Sequence, residues 1–504
     1  MHRILRYLIF GVLILGGVVG TYHLLAQAWY FFNGAHSGDA KYYWTVGQAI
    51  RNGFTLYTDT FDTKPPTIYL LSALPHVIGN SVNSLMTLTL PAIFGYTAWT
   101  MTRKKLQASI GLLFGLCVTL NMGFQAQAWQ VEWYGGFFGI LYVSLLALYP
   151  EKMSRGHIAA LTALLTMTVA WKEPFVLSLL AAAIILLQEK KQLSKQFLIP
   201  LSVTAIIGIT ALALFGYLGG YIDTYLPAQF GHHIARSMPM YLRSIQVGVL
   251  GYYLSQFSII FIGVIVVLIL SVALIRMKTQ KWWAIALSIL ALLLVTLAGN
   301  LRGYPASNHF VVAVPYYAAL FYVWLKYAKG FSAIGIPVLI ACTLITLSSD
   351  TGFSAYAMRL KEEEVSRKIN TSDAQMMDAV LDACNIDRYF FVEERPYMEY
   401  MHHSPLNFFV YVGPEAIVYH SPILIEKQLD SFSKAKIVIA QGDAYELRER
   451  PEEKALTEMT FRYLANNFTI TPWECAADLP MPENYSLLFR NDPENMKPFP
   501  YTMR

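Results

Sequence analysis

Acidic, basic and aromatic residues are concentrated in a short stretch that follows the first apolar segment of the chain. It runs from Gly38 to Pro66 and reads GDAKYYWTVGQAIRNGFTLYTDTFDTKPP. Asp39 lies at its start, and Asp62 and Lys64 stand just before two prolines. A carboxylate can take a proton from a hydroxyl group, and a nearby cation can hold a phosphate. We therefore place the chemistry of the protein in this stretch.

The first half of the stretch has the pattern of an amphipathic helix. Tyr42, Tyr43 and Val46 share one face, and Gly53 is a natural stop. We expect this helix to lie flat on a bilayer surface with its aromatic residues at the interface. It would then hold Asp39 at the mouth of a cavity enclosed by the membrane helices. Asp39 itself fits either a plain helix cap or a general base.

The rest of the chain supplies the elements that must position these residues. Of the 504 residues, 55% are hydrophobic and 14% are charged, and mean hydropathy is +0.41, which excludes an ordinary soluble enzyme. Charged residues are scarce before about residue 350 and ordinary after it, so we expect a membrane domain, 1–348, and a soluble domain, 349–504. The formal charge of +5 is small, and basic residues cluster between apolar runs. We expect no nucleic-acid partner.

About eleven apolar segments are candidate membrane-spanning helices, and several of those between 134 and 188 are marginal in length. The candidates are 4–24, 84–101, 106–122, 134–150, 156–170, 174–188, 197–217, 248–275, 281–298, 307–327 and 331–348. Basic residues follow alternate segments, which places the N-terminus in the cytoplasm by the positive-inside rule. An odd number of spans then places the soluble domain outside the cytoplasm. We expect a multi-pass protein of the inner (plasma) membrane whose first helix is not cleaved.

The soluble domain has the pattern of a small α/β unit. Helical patterns cover 361–383, 423–432 and 452–467, and short strand patterns cover 388–394, 408–412, 435–441 and 485–489. Cys384 and Cys475 also fall here, and the sequence leaves open whether they form a disulfide.

Further ionisable residues fall in the connections on the predicted outer face. They are Glu132, Lys172, Glu173, Asp223, His232, His233, Arg236, Arg243, Arg302 and His309. Ionisable groups at the ends of membrane helices are costly unless they face a cavity or a partner. A set with both signs suits an anionic ligand and leaves carboxylates for acid–base work. Plainer alternatives stay open: a solvated turn for Lys172, an interfacial position for Lys64, and a structural role at the interface for Arg302 or His309.

Metal-binding and nucleotide-binding patterns are weak. His232 and His233 are adjacent, but neighbouring side chains diverge and no Cys or HxxxH partner is nearby, so we expect no metal there. A divalent cation stays open as a cofactor, since no ligand set stands out. The sequence has no Walker loop, GxGxxG or GxSxG motif.

The arrangement resembles the GT-C glycosyltransferases, in the branch that contains protein O-mannosyltransferases, the aminoarabinose transferases of lipid A and related bacterial membrane sugar transferases. The resemblance rests on GDAKYYWTVGQAI with Asp39, FDTKPP with Lys64, the acid Glu132, the Lys172-Glu173-Pro174 connection, and RGYPASNHFVVAVP before a late span. It covers most of residues 1–330. The first loop departs from the protein mannosyltransferases because Gly38, not a second acid, precedes Asp39.

The resemblance implies an α-helical polytopic membrane protein with a GT-C-like fold and a small extracytoplasmic α/β domain. Such enzymes transfer a sugar, with inversion, from a polyprenyl-phosphate lipid to an acceptor outside the cytoplasm, which would be a lipid, glycan or protein of the cell envelope. Asp39 would be the base, and Glu132 would orient the acceptor or the base. The donor phosphate would be bound by Lys64, Lys172, Arg302 and His309. The acceptor or a lid would involve Tyr42, Tyr43, Asp62, Arg236 and Arg243.

Two other classes of membrane protein compete with this interpretation. A flippase or exporter of lipid-linked oligosaccharides would carry charges at mid-span positions along a transport path. An oligosaccharide ligase would move whole glycans and use similar basic residues.

Overall fold

The computed structural model describes residues 2–33, 40–120, 129–187, 190–229, 268, 311–327, 353–392, 400–408, 422–440, 451–482, 485–494, 496 and 498–500. Within these residues the protein is mostly helical and contains a five-stranded sheet. The main helices, numbered in chain order, are α1 (His2–Phe32), α2 (Ala40–Arg51), α3 (Pro66–Ser72), α4 (His76–Thr102), α5 (Lys105–Thr119), α6 (Val131–Leu148), α7 (Arg155–Trp171), α8 (Phe175–Leu186), α9 (Ile199–Leu214), α10 (Val314–Tyr327), α11 (Phe353–Ala383), α12 (Pro422–Ser433) and α13 (Pro451–Asn467).

Three helical segments of the described chain are long and apolar enough to cross a membrane. They are His76–Thr102, Val131–Leu148 and Lys191–Leu214. Shorter apolar helices cover Lys105–Thr119, Phe175–Leu186 and Val311–Lys326. The expected spans 248–275, 281–298 and 331–348 lie outside the described residues apart from Leu268. The count of eleven spans therefore stays a prediction.

The chain divides into two compact units, which are described separately. Unit 1 contains Met1–Ser37, His76–Thr210 and Ser237–Leu360, and unit 2 contains Gly38–Pro75, Ala211–Arg236 and Lys361–Arg504. This division differs from two consecutive domains that meet at 348/349. Unit 2 combines Gly38–Pro75, called the first loop below, with Ala211–Arg236 and with Lys361–Arg504, called the tail.

Unit 1 is a helical bundle whose core is apolar and aromatic. Phe114 of α5 stacks on Phe321 of α10 with ring centroids 4.3 Å apart, and Phe94 of α4 packs edge-on to Phe114. Helices α4 and α5 approach closely at Gly111, where a Cβ atom would lie 2.7 Å from the Phe94 carbonyl oxygen. A larger residue at 111 would push the two helices apart.

Unit 2 contains the sheet. Its strands are β1 (Arg388–Phe391), β2 (Ser404–Pro405), β3 (Ile437–Ala440), β4 (Phe468–Thr469) and β5 (Ser486–Arg490), in the order β2-β1-β3-β5-β4. β1 is parallel to β2 and β3, whereas β5 is antiparallel to β3 and β4. The predicted tail helices and three of the four predicted strands are confirmed. The fourth, at 408–412, lies outside the described residues apart from Phe408.

The first loop packs against the tail inside unit 2. The Phe61 amide donates to the Phe408 carbonyl oxygen at 2.6 Å, and the two rings stack with centroids 5.8 Å apart. The guanidinium of Arg388 lies 4.0 Å from the ring centre of Phe54. The Gln229 side chain donates to the Thr63 carbonyl oxygen at 2.8 Å. These contacts join segments that are far apart in sequence into one folded body.

The aromatic face of α2 is buried in unit 2, so the expectation that its aromatic residues lie at a bilayer interface is wrong. Tyr43 is fully buried, Trp44 is 2% exposed and Tyr42 is half-buried. A Cβ atom at Gly47 would lie 2.6 Å from the Ser72 carbonyl carbon, so α2 packs directly on the end of α3. The helix is amphipathic as predicted, but its apolar side meets protein.

A disulfide joins Cys384, directly after α11, to Cys475, and the two residues are 91 positions apart. Closing so long a loop restricts the unfolded chain. We expect the double variant Cys384→Ser, Cys475→Ser to lose about 2–4 kcal/mol of unfolding free energy in unit 2. Thermal unfolding with and without dithiothreitol measures this loss.

The control for this prediction is the buried free cysteine Cys117, which lies in α5. Cys117→Ser should keep the sensitivity of unit 2 to dithiothreitol, whereas the double variant should lose it. A parent protein whose unfolding does not respond to the reductant would contradict the prediction.

Candidate functional site

In unit 1 the structure brings together two residues that the sequence analysis proposed separately, Glu132 and Lys172. Glu132 lies in the first turn of α6, where the helix dipole favours a carboxylate. Lys172 closes α7, and its amide donates to the Thr168 carbonyl oxygen. The Lys172 ammonium donates to Glu132 Oε1 and forms an ion pair with it.

This ion pair is shielded from solvent. The Glu132 side chain is 0% exposed and the Lys172 side chain 7% exposed. Beside it, Tyr134 stacks on Trp171 with ring centroids 4.4 Å apart. The alternative that Lys172 lies in a solvated turn is therefore wrong. Burying two charges is costly, and the pair tolerates burial only because each partner faces the other in a low-dielectric setting.

The pair lies at one end of the unit 1 bundle. α6 starts and α7 finishes at this end. Trp129 packs against Gly79, so α4 also starts here. The Ser84 hydroxyl donates to the Ala28 carbonyl oxygen at 2.9 Å, which brings the later part of α1 close to the first turns of α4.

Basic connections lie at the other end of the same helices. Gln196 donates to the Pro150 carbonyl oxygen at 2.6 Å and bonds the His157 ring at 3.1 Å. These contacts bring the connection holding Lys152 together with the segment holding Lys195. Within unit 1 the two basic connections and the Glu132–Lys172 pair therefore occupy opposite ends of the bundle.

In unit 2 the FDTKPP segment is buried. Asp62 is 2% exposed and Lys64 is 7% exposed, so Lys64 does not occupy an exposed interfacial position. The Lys64 backbone is held by two phenols: Tyr57 donates to its carbonyl oxygen at 2.7 Å, and its amide donates to Tyr69 at 3.2 Å. Pro65 occupies the N-cap position of α3, which starts with Pro66. Two phenols thus hold the backbone amide and carbonyl of a buried lysine, and two prolines restrict the backbone that follows it.

The phenol of Tyr69 lies next to the Asp62 carboxylate. Burial raises the pKa of Tyr69 well above its usual value, and the negative charge of Asp62 and nearby Tyr57 and Tyr43 raise it further. Tyr69 therefore stays protonated and can donate a hydrogen bond to Asp62. Asp62 also accepts from the Thr63 amide. An ionised carboxylate held by such donors has further lone pairs that can accept a hydrogen bond from a hydroxyl group.

The tail contributes two cations that sequence reasoning missed. Lys427 of α12 donates to the Thr224 hydroxyl at 3.1 Å and lies over the Phe408 ring. Burial lowers the pKa of Lys427 and of Arg388, while the negative charge of Asp59 opposes both shifts. No spacing in the sequence links α12, which holds Lys427, or β1, which holds Arg388, with the first loop, so no local pattern could have identified these two residues.

Several predicted site residues lie outside the described residues. They are Asp39, Arg236, Arg243, Arg302 and His309. Asp39 immediately precedes the first residue of α2, Ala40, whose side chain is buried. Of the other predicted residues, Asp62, Lys64, Tyr42 and Tyr43 share unit 2, and Glu132 and Lys172 share unit 1.

Comparisons with known proteins assign no family: no protein-family model matches the chain, and no curated protein matches it.

Proposed function

We propose that the chain is an integral-membrane inverting glycosyltransferase that moves a sugar from a polyprenyl-phosphate lipid to an extracytoplasmic acceptor. The observation that carries the proposal is the buried Glu132–Lys172 pair at the end of the unit 1 bundle opposite two basic connections. A stability role alone gives little reason to keep such a pair, because well-packed apolar residues would serve equally well. A site that binds a lipid phosphate and positions a hydroxyl group needs both signs of charge.

The chemistry requires little beyond these groups. A lipid phosphate is a stable leaving group, so the site must mainly stabilise its negative charge and provide a base for the incoming hydroxyl. In the proposal Asp39 takes the hydroxyl proton, and basic side chains bind the phosphate. The described candidates for that role are Lys172 in unit 1 and Lys64 in unit 2, each considered within its own unit. The new glycosidic bond forms on the face of the sugar opposite the breaking bond to phosphate, which requires an in-line arrangement.

The distribution of charges favours a transferase over an exporter. Among the apolar helices that the structure describes, Asp, Glu, Lys and Arg lie close to helix ends: Lys105 begins α5, Glu132 is second in α6, and Lys326 is next to last in α10. α4 and α8 contain none. A transport path would need such residues at mid-span positions.

An extracytoplasmic location for unit 2 has independent support. Stable disulfides belong to oxidising compartments, and unit 2 contains the Cys384–Cys475 bond. The first loop, including Lys64, belongs to the same compact unit. In the proposal, unit 2 therefore acts on the outer side of the inner membrane.

Lipid extraction from cells that lack the protein tests the proposal. We expect a polyprenyl-phosphate sugar to accumulate and an envelope acceptor to lack one sugar residue, both measured by mass spectrometry. Complementation with the parent gene should reverse both changes. Accumulation of a complete lipid-linked oligosaccharide on the inner leaflet would instead identify an exporter and overturn the proposal.

A further inference from the structure

Two adjacent histidines, His402 and His403, lie against helix α11 in unit 2 and have no role in the proposed sugar transfer. Two carboxylates on that helix, Asp378 and Asp382, are spaced four residues apart and so point to the same side. Asp378, His402 and His403 each offer a ligand atom within 4.8 Å of the others. Imidazole and carboxylate together are a donor set that suits Zn²⁺ and similar divalent ions.

Asp378 fixes the orientation of both rings. Its Oδ2 lies 2.9 Å from His402 Nδ1, and its Oδ1 lies 2.8 Å from His403 Nδ1. The same carboxylate accepts from the backbone amides of His402 and His403 at 2.8 and 3.2 Å. A carboxylate that accepts from Nδ1–H leaves the lone pair of a neutral ring on Nε2, which is how protein carboxylates orient histidine ligands.

The Nε2 atoms of both histidines lie near the Asp382 carboxylate. Each lies 3.4 Å from Asp382 Oδ1. In a tetrahedral zinc site with bonds of about 2.0–2.1 Å, neighbouring ligand atoms are about 3.3–3.4 Å apart. The distances from Asp382 Oδ1 to the two Nε2 atoms therefore match the distances between neighbouring ligand atoms in a tetrahedral zinc site.

The loop that holds the histidines is anchored independently of the carboxylates. The side chain of Asn52 donates to the His402 carbonyl oxygen at 3.0 Å and to the Ser404 hydroxyl at 2.9 Å, and Gln48 donates to the Met401 carbonyl oxygen. The side chains of His402 and Asp382 are 62% and 60% exposed, so an ion can reach them from solvent. A preformed and accessible donor set reduces the cost of ordering ligands on binding.

We propose that unit 2 binds one Zn²⁺ ion through Nε2 of His402, Nε2 of His403 and the carboxylate of Asp382. Asp378 is a positioning residue that holds both rings, and solvent occupies the fourth coordination position. The ion ties the loop at 401–404 to α11. This site is separate from the proposed sugar transfer and does not depend on it.

Zinc binding to the full chain, purified in detergent without a polyhistidine tag, tests the proposal. After treatment with a chelator, the parent should bind one Zn²⁺ per chain in equilibrium dialysis. Co²⁺ should give the visible absorption of a tetrahedral site. The double variant His402→Ala, His403→Ala should lose both signals, and Asp378→Asn should weaken zinc affinity about 10–100-fold.

The matched control replaces the other adjacent histidine pair, His232 and His233, with alanine and should leave the binding unchanged. Asp378 accepts from backbone amides, so Asp378→Asn could unfold unit 2. His402→Gln and Asp382→Asn avoid this problem because both side chains are largely exposed, and each should lower the zinc affinity at least tenfold while leaving thermal unfolding without metal unchanged. Zinc binding that survives the His402→Ala, His403→Ala variant, or a parent that binds no zinc at micromolar concentrations, would overturn the proposal.

Discussion

Replacing Lys172 with methionine should destabilise unit 1 more than any other single change proposed for it. The variant keeps most of the side-chain volume but removes the ammonium that faces the fully buried Glu132 carboxylate. Removing one partner of a buried ion pair costs about 3–5 kcal/mol, because the remaining charge stays in a low-dielectric setting. Thermal unfolding in detergent should therefore show a large decrease in melting temperature relative to the parent.

The double variant Glu132→Gln, Lys172→Met separates stability from function. With both charges removed, most of the lost stability should return. If the pair serves sugar transfer, the folded double variant should still be inactive. Lys152→Met is the matched control, since Lys152 is exposed at the opposite end of the bundle and should have little effect. If the Lys172→Met variant had the same melting temperature as the Lys152→Met control, the ion pair would contribute no stability.

Much of the helical fold follows from local sequence patterns. The apolar runs at 106–122, 134–150 and 156–170 predict helices whose observed bounds, Lys105–Thr119, Val131–Leu148 and Arg155–Trp171, differ by only a few residues. The same holds for the tail, where hydrophobic periodicity identifies α12 and α13. β2 and β4 have two residues each, which is too short for any periodicity to show.

The grouping of the first loop with the tail could not be predicted in this way. Periodicity reports which face of an element is apolar, but it does not say what covers that face. The α2 helix illustrates the problem, because a row of aromatic residues has the same pattern whether it meets lipid or protein. Phe61 and Phe408 form a backbone hydrogen bond and a stacked ring pair, yet nothing in either segment indicates the other.

The sequence predicts which residues belong to the candidate site but not which of them contact one another. Glu132 and Lys172 each stood out as ionisable groups in short connections between apolar segments, and only the packing of α6 against α7 shows that they form a pair. The sequence pattern does not single out His402 and His403, because the carboxylate that orients them, Asp378, lies 24 and 25 residues earlier in the chain.

The largest effect on activity is expected at Asp39. Asn and Ser both cap helices about as well as Asp does, so Asp39→Asn and Asp39→Ser should leave α2 and the stability of unit 2 nearly unchanged. Neither residue can act as a general base at neutral pH. Loss of such a base reduces a rate about 10²–10⁴-fold. We therefore expect both variants to bind the polyprenyl-phosphate donor normally and to transfer sugar at a rate reduced by that factor, measured with purified protein in detergent.

Asp39→Ala and Asp430→Asn complete the comparison. Alanine removes both the cap and the base, so its extra loss of stability, about 1 kcal/mol, reports the capping contribution alone. Asp430 is an exposed acid of unit 2 that pairs with Lys434 four residues later, and its amide variant should transfer sugar like the parent. Near-normal turnover in Asp39→Asn would remove Asp39 as the base. If only Asp39→Ala were affected, and in stability rather than rate, Asp39 would be a helix cap, and the base of the proposed reaction would have to be another carboxylate.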